Sequence, residues 1–163
     1  MKQMAEAANR LLEACAARKI LVATAESCTG GMIVATMTDQ PGASSMVDRG
    51  FVTYSNEAKM EMLGVSGATL DTFGAVSSET AAEMAAGALE RSRAGLTLAV
   101  TGIAGPDGGS EEKPVGLVWF GLALTGRSVV TERRLFENRG RSFIRQQTVL
   151  HALRMGLQAL QPD

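Results

Sequence analysis

The sequence predicts an α/β fold: a three-layer α/β/α sandwich around a mostly parallel mixed sheet of about five strands, the last two forming a hairpin. Three observations carry that expectation. Ile20-Leu21-Val22-Ala23 and Leu96-Thr97-Leu98-Ala99-Val100-Thr101 are short, nearly unbroken apolar runs of the kind found in strands buried on both faces. Each leads straight into a polar, glycine-containing loop. Segments of helical period lie between and around them, and strands that alternate with helices make parallel sheets whose loops gather at the carboxyl edge as a ligand crevice.

In chain order, residues 3–18 place Met4, Ala7, Ala8, Leu11, Leu12 and Cys15 on one face, with Glu6, Arg10, Glu13 and Arg18 largely opposite, which reads as an amphipathic helix. A strand over 20–25 follows, then the turn around Ser27, then a helix from Met32 to about Thr38. The Pro41-Gly42 pair makes 39–45 a loop. Val47 to Tyr54 suits a strand, and Ser55-Asn56-Glu57 opens a short helix, Asn56 to Leu63, with Lys59 about one turn inside it. Ser66 to Leu70 reads as another short helix. Ser77 or Ser78 caps an alanine-rich helix over 79–92, with Glu79 and Glu83 near its positive end. After the 96–101 strand and the 102–110 loop, Val115–Leu124 and Ser128–Phe136 are joined by Thr125-Gly126-Arg127 into an antiparallel hairpin. Arg141 to Leu160 is a long helix with Ile144, Thr148, Val149, Ala152, Leu153, Leu157 and Leu160 at helical spacing.

Composition bounds the function. A length of 163 residues suits one domain with a sizeable core, so residues 1–163 are expected to form a single unit. Sixteen Lys+Arg against seventeen Asp+Glu leave a net charge of -1, without the electrostatic footprint of a nucleic-acid or anionic-membrane binder. Cys15 and Cys28 have no ligand spacing, and one histidine cannot complete a usual zinc site, so neither a metal nor a structural disulfide is expected. Residues 1–10 carry no apolar signal region and no run reaches membrane-spanning length, which predicts a cytoplasmic protein.

The chemistry centres on Thr24-Ala25-Glu26-Ser27-Cys28-Thr29-Gly30-Gly31, where a strand ends and a helix begins. A helix start presents unpaired N–H groups suited to a phosphate or a developing oxyanion, and Gly30 and Gly31 would let a ligand approach the backbone. The plainer alternative is that Ser27 or Thr29 only caps the helix. No Walker loop and no full dinucleotide fingerprint is present.

Four stretches together carry a specific resemblance: Thr24 to Gly31; Gly50-Phe51-Val52-Thr53-Tyr54-Ser55-Asn56-Glu57-Ala58-Lys59; Gly74-Ala75-Val76-Ser77; and Thr101-Gly102-Ile103-Ala104-Gly105-Pro106-Asp107-Gly108-Gly109, followed by Lys113-Pro114-Val115-Gly116. Over essentially its whole length the chain resembles the CinA C-terminal domain family, the nicotinamide-nucleotide amidases. The resemblance implies hydrolysis of the carboxamide of nicotinamide mononucleotide to nicotinate mononucleotide and ammonia in pyridine-nucleotide salvage, without metal or organic cofactor. It also implies a homodimer and the stand-alone form, since many relatives carry a further N-terminal domain. It places the catalytic serine, tyrosine and lysine on Ser27, Tyr54 and Lys59. The Thr101 to Gly105 loop, including Gly102 and Ala104, with Arg141 and Arg145, falls on the ribose-phosphate side of the pocket.

Elementary chemistry agrees with that set. A serine hydroxyl attacking an amide needs a group to accept its proton. His151 stands alone and late in a helix, so a Ser-His-Asp triad is a poor account and a packing or surface role suits it better. A lysine depressed by burial can be the base, directly or through the tyrosine hydroxyl. On spacing alone Tyr54 could be a sheet residue and Lys59 a solvated one. Glu26 either orients Lys59 or pairs with a cation. The N–H groups of Thr29 and Gly30 are candidates for the oxyanion, and Arg139, Arg141 and Arg145 compete for the phosphate. Cys28, adjacent to Ser27, is expected to turn into the apolar layer. The other reading is a non-catalytic nucleotide-binding or regulatory module using the same crevice.

Overall fold

The computed structural model describes residues 1–162. Its elements are α1 (Lys2–Arg18), β1 (Val22–Glu26), α2 (Met32–Thr38), β2 (Val47–Val52), α3 (Asn56–Leu63), α4 (Gly67–Phe73), α5 (Ser78–Glu90), β3 (Leu96–Gly102), β4 (Leu117–Leu124), β5 (Val130–Leu135) and α6 (Arg141–Ala159). The five strands run in the order β2-β1-β3-β4-β5. β1 is parallel to both β2 and β3, whereas β4 is antiparallel to β3 and to β5. This is the mixed sheet with a terminal hairpin that the alternation of elements predicts.

Two layers of helix cover the sheet. Leu11, Ile33, Met37, Leu98, Phe120, Ile144 and Leu153 form the larger core, between the sheet and α1, α2 and α6. Ala25, Leu63, Met84, Ala85, Ala99 and Ala123 form the smaller one, under α3, α4 and α5. The second layer is thin because α5 is built of small residues that bring backbone against backbone. A Cβ on Gly121 would collide with the Ala81 carbonyl, and one on Gly87 with the carbonyl of Leu63. Such close layers set α3, and therefore Lys59, hard against the sheet edge.

The helix boundaries follow from local chemistry. The Ser55 hydroxyl accepts from the Ala58 N–H to open α3, and Gly64, at φ 69°, closes it. Ser77, rather than Ser78, caps α5 by accepting from the Thr80 N–H. β2 ends two residues short of its expected span: it stops at Val52, not Tyr54. After the Thr53 N–H donates to the Glu26 carbonyl, at 2.8 Å, the Thr53 carbonyl is taken by Lys59 Nζ instead of by a strand, so the chain leaves the sheet and Tyr54 is 62% exposed. Tyr54 is therefore not a sheet residue. Among the described residues no helix is long and apolar enough to cross a membrane.

Candidate active site

Ser27 stands one residue beyond the end of β1, where its N–H still donates to the Val100 carbonyl of β3 at 3.0 Å. That bond continues the parallel ladder and holds the serine at the carboxyl edge, between the two central strands. From α3, Lys59 reaches under this edge and places Nζ 2.9 Å from Ser27 Oγ and 2.9 Å from the Thr53 carbonyl oxygen. Lys59 is only 1% exposed and Ser27 only 8%, so the solvated-lysine alternative is excluded. No carboxylate forms a salt bridge with Lys59 among the described residues. Burial without a counter-charge disfavours the ammonium and lowers the Lys59 pKa from its ordinary 10.5. In the neutral amine the free lone pair can take the Ser27 proton over that 2.9 Å contact, with no group in between.

The first loop differs from expectation in what fills its helix start. Glu26 neither orients Lys59 nor pairs with a cation. Its carboxylate is buried and accepts four hydrogen bonds: from Thr24 Oγ1 at 3.0 Å, Thr29 Oγ1 at 2.6 Å, and the Ile33 and Val34 N–H groups at 2.8 and 3.0 Å. The positive end of α2 is thus occupied by the protein's own anion, which is where a carboxylate gains most from the helix dipole. A phosphate has no place there. Neither Ser27 nor Thr29 caps the helix. Its N-cap position is Gly31, at φ 102°, which has no side chain to cap with, so Glu26 does so from before the turn. Gly30 and Gly31 therefore serve the turn rather than a ligand, and the Gly30 N–H is used by the Ser27 carbonyl at 3.1 Å.

Replacing Glu26 with Gln turns one acceptor oxygen into a donor facing N–H and O–H groups. An unfolding midpoint in urea corresponding to a loss of about 2 kcal/mol is expected, the order for stranding buried hydrogen-bonding groups. An unchanged midpoint would contradict this reading of the carboxylate.

Arg145 also departs from its expected role. Its Nε donates to the Cys28 carbonyl at 3.1 Å and its Nη2 to the Thr29 carbonyl at 3.0 Å, so it braces the loop from behind and does not face the crevice. Arg139 lies 4.4 Å over the Phe143 ring. Arg141 is the arginine that lines the crevice. Its two Nη atoms donate to the Gly105 carbonyl at 2.9 Å and to the Tyr54 hydroxyl at 3.0 Å. The Tyr54 hydroxyl thus meets Arg141 at the rim rather than bridging Ser27 and Lys59, which touch directly.

These groups surround a cleft of about 210 Å³, with Ser27 and Lys59 set beside Thr101, Gly102 and Ala104. Glu26, Thr29, Gly30, Gly31, Gly105 and Arg145 do not line it, and Gly105 acts on it only by holding Arg141 through its carbonyl. The lining contains three residues that reading the sequence assigned to no role: Asn56, Ala75 and Val76. Ala75 and Val76 lie in the Gly74 to Ser77 motif, and nothing in their apolar side chains marks them.

Cys28 follows the expected alternation. Its side chain joins the larger core and burial pushes its thiol up to about 12, so the thiolate needed for attack is absent at neutral pH. His151 packs edge-on against Phe120, at 4.5 Å, and meets Glu132 at 2.9 Å, away from Ser27. A groove of about 230 Å³ between β5 and α6 has Leu122, Leu124, Val130 and Met155 in its walls, and among the described residues its Ser128 makes no hydrogen bond to its Glu132, which meets His151 instead.

Fold and site together define a three-layer α/β protein carrying a buried serine–lysine pair at the carboxyl edge of a mixed sheet. Residues 4–160 match the CinA C-terminal domain, and the chain belongs to that family. The nicotinamide-nucleotide amidohydrolase PncC of Escherichia coli is 48% identical over 94% of this chain and 90% of its own length. A competence-damage inducible protein of Acetivibrio thermocellus is 58% identical over 83% of the chain, which spans only 32% of that longer relative. Among solved structures, the competence/damage inducible protein CihA from Agrobacterium tumefaciens superposes with a TM-score of 0.94 at 51% identity, covering 97% of this chain and 95% of that one.

Proposed function

We propose that the protein hydrolyses the carboxamide of nicotinamide mononucleotide to nicotinate mononucleotide and ammonia, with Ser27 as nucleophile and Lys59 as general base and acid, in pyridine-nucleotide salvage. The observation that carries this reading is the 2.9 Å contact between Ser27 Oγ and a buried lysine amine that has no salt-bridge partner among the described residues. A module that only binds nucleotides gains nothing from burying a lysine against a hydroxyl, and that burial has a desolvation cost. The name of the E. coli relative supports the choice of amide.

Neutral Lys59 takes the proton as Ser27 Oγ adds to the carboxamide carbon. The resulting ammonium then protonates the departing nitrogen, ammonia leaves, and an ester to Ser27 remains. A water entering the space vacated by ammonia gives a proton to the same amine as it adds to the ester carbon. The bond to Ser27 Oγ then breaks, the ammonium returns the proton to that oxygen, and nicotinate mononucleotide leaves. In this reading Arg141, which lines the cleft, meets the phosphate. It occupies the first turn of α6, whose N-cap Gly140 offers no side chain and whose first turn carries no acidic residue, so that end of the helix is positive and unneutralised. Tyr54, hydrogen-bonded to Arg141, assists by holding that guanidinium at the mouth of the cleft.

Ammonia release measured on nicotinamide, its riboside and its mononucleotide tests this. The mononucleotide should be strongly preferred, and Arg141→Gln should raise its KM by about 10- to 100-fold, the range for a charge-assisted hydrogen bond. Equal efficiency on all three compounds would contradict the assignment.

A further inference from the structure

Hydrolysis by Ser27 requires donors for the negative charge that develops on the carboxamide oxygen, and the expected ones are engaged or lie outside the cleft. The Gly30 N–H is bonded to the Ser27 carbonyl, Thr29 does not line the cleft, and the Ile33 and Val34 N–H groups go to Glu26. Arg141 is held by Gly105 and Tyr54, and Lys59 is needed as the base. What remains is backbone.

One wall of the cleft is the segment between α4 and α5, where Ala75 and Val76 line the space shared with Ser27 and Lys59. Its carbonyls are taken by side chains. The Phe73 oxygen accepts from Lys113 Nζ at 2.6 Å, that of Gly74 from Ser77 Oγ at 2.9 Å and Thr80 Oγ1 at 2.8 Å, and that of Ala75 from Thr101 Oγ1 at 2.8 Å. In a planar trans peptide the N–H points opposite to the preceding carbonyl. The Val76 N–H is therefore turned away from Thr101 Oγ1, and among the described residues it has no acceptor. The Cys28 N–H, on the residue after the nucleophile, has none beyond its own sulfur. Among the described residues, two N–H groups without an acceptor on any other residue thus border a cleft of about 210 Å³ that also holds the nucleophile.

We propose that the backbone N–H groups of Val76 and Cys28 form the oxyanion hole of this amidase. The proposal rests on the amide-hydrolysis reading above. As the Ser27 Oγ–carbon bond forms, the carbonyl π pair moves onto oxygen and the serine proton passes to Lys59. The two N–H groups donate to that oxygen without transferring a proton. When the pair returns, the carbon–nitrogen bond breaks and nitrogen leaves as ammonia with the proton from Lys59. The side-chain bonds that pin residues 73–75 fix the Val76 donor before substrate arrives, which is the preorganisation that makes such donors effective. A donor on the residue following the nucleophile is a recurrent solution in serine hydrolases. Thr101 acts through the Ala75 carbonyl as a positioning residue.

The direct test replaces Val76 by its α-hydroxy analogue, which exchanges N–H for oxygen and retains the side chain, beside a reference protein given valine by the same route. On nicotinamide mononucleotide, kcat should fall about 100-fold with KM within about twofold, as for loss of one oxyanion donor. Thr101→Val should likewise lower kcat at unchanged KM, and Thr101→Ser, which restores a hydroxyl, should recover it. Unchanged kcat in the ester protein, or a rise in KM alone, overturns the proposal while leaving the amidase reading intact. A reference protein that releases no ammonia overturns both.

Discussion

Ser27→Ala is expected to lower turnover of nicotinamide mononucleotide by about 10⁴-fold or more, the scale seen when a nucleophile is deleted from an acyl-transfer site. The fold should survive, because the Ser27 hydroxyl is no helix cap and, among the described residues, its one hydrogen bond is to Lys59. The backbone bonds from the Ser27 N–H to Val100 and from the Gly30 N–H to Ser27 do not depend on the side chain. Cys28→Ala should remain active. A thiol packed in the core and pushed up to about 12 carries almost no thiolate at neutral pH, and for the same reason the wild type should resist alkylation. A dead, folded Cys28→Ala protein beside an active Ser27→Ala protein would move the nucleophile by one residue.

Lys59→Met should reduce turnover by about 10²- to 10⁴-fold, the contribution of a positioned general base, without lowering stability at neutral pH. Methionine fills the channel of the lysine stem and removes a buried amine that has no salt-bridge partner among the described residues. The sign of the pH effect follows from the lowered pKa. Between the folded value and 10.5 the unfolded chain binds more protons at this site than the folded one. The Lys59 contribution therefore makes stability rise with pH across that window, with the penalty fully present below the folded pKa. Lys59→Met should abolish that slope. Wild-type kcat/KM should in turn rise with pH through the depressed pKa and then level, as the neutral amine becomes populated. A lysine variant that keeps wild-type turnover, or a rate that falls over the same range, would exclude Lys59 as the base.

The parts of the structure that were legible in the sequence share a local cause. Apolar runs and hydrophobic period located β1, β3, α1 and α6, and caps such as Ser55 and Ser77 act within three residues, so α3 and α5 could be bounded closely from sequence. Ser27 and Lys59 stood out through a resemblance together with the chemistry that an amide demands. What stayed hidden depends on distance through space. Glu26 caps α2 from before the turn and reaches Ile33 and Val34, seven and eight residues on, an arrangement that no cap spacing announces. Arg145 and Arg141 lie one helical turn apart, yet only the latter meets the cleft, because the former is drawn to the Cys28 and Thr29 carbonyls more than a hundred positions earlier. Ala75 and Val76 are harder still, since what they present to the cleft is backbone.

The most direct test of the account is to quench the wild-type protein in acid within one turnover of nicotinamide mononucleotide and map the adduct by peptide mass. The account predicts a nicotinate mononucleotide ester on Ser27, present in wild type and missing from Ser27→Ala. An adduct on Cys28, or ammonia release at the wild-type rate by Ser27→Ala, would contradict it.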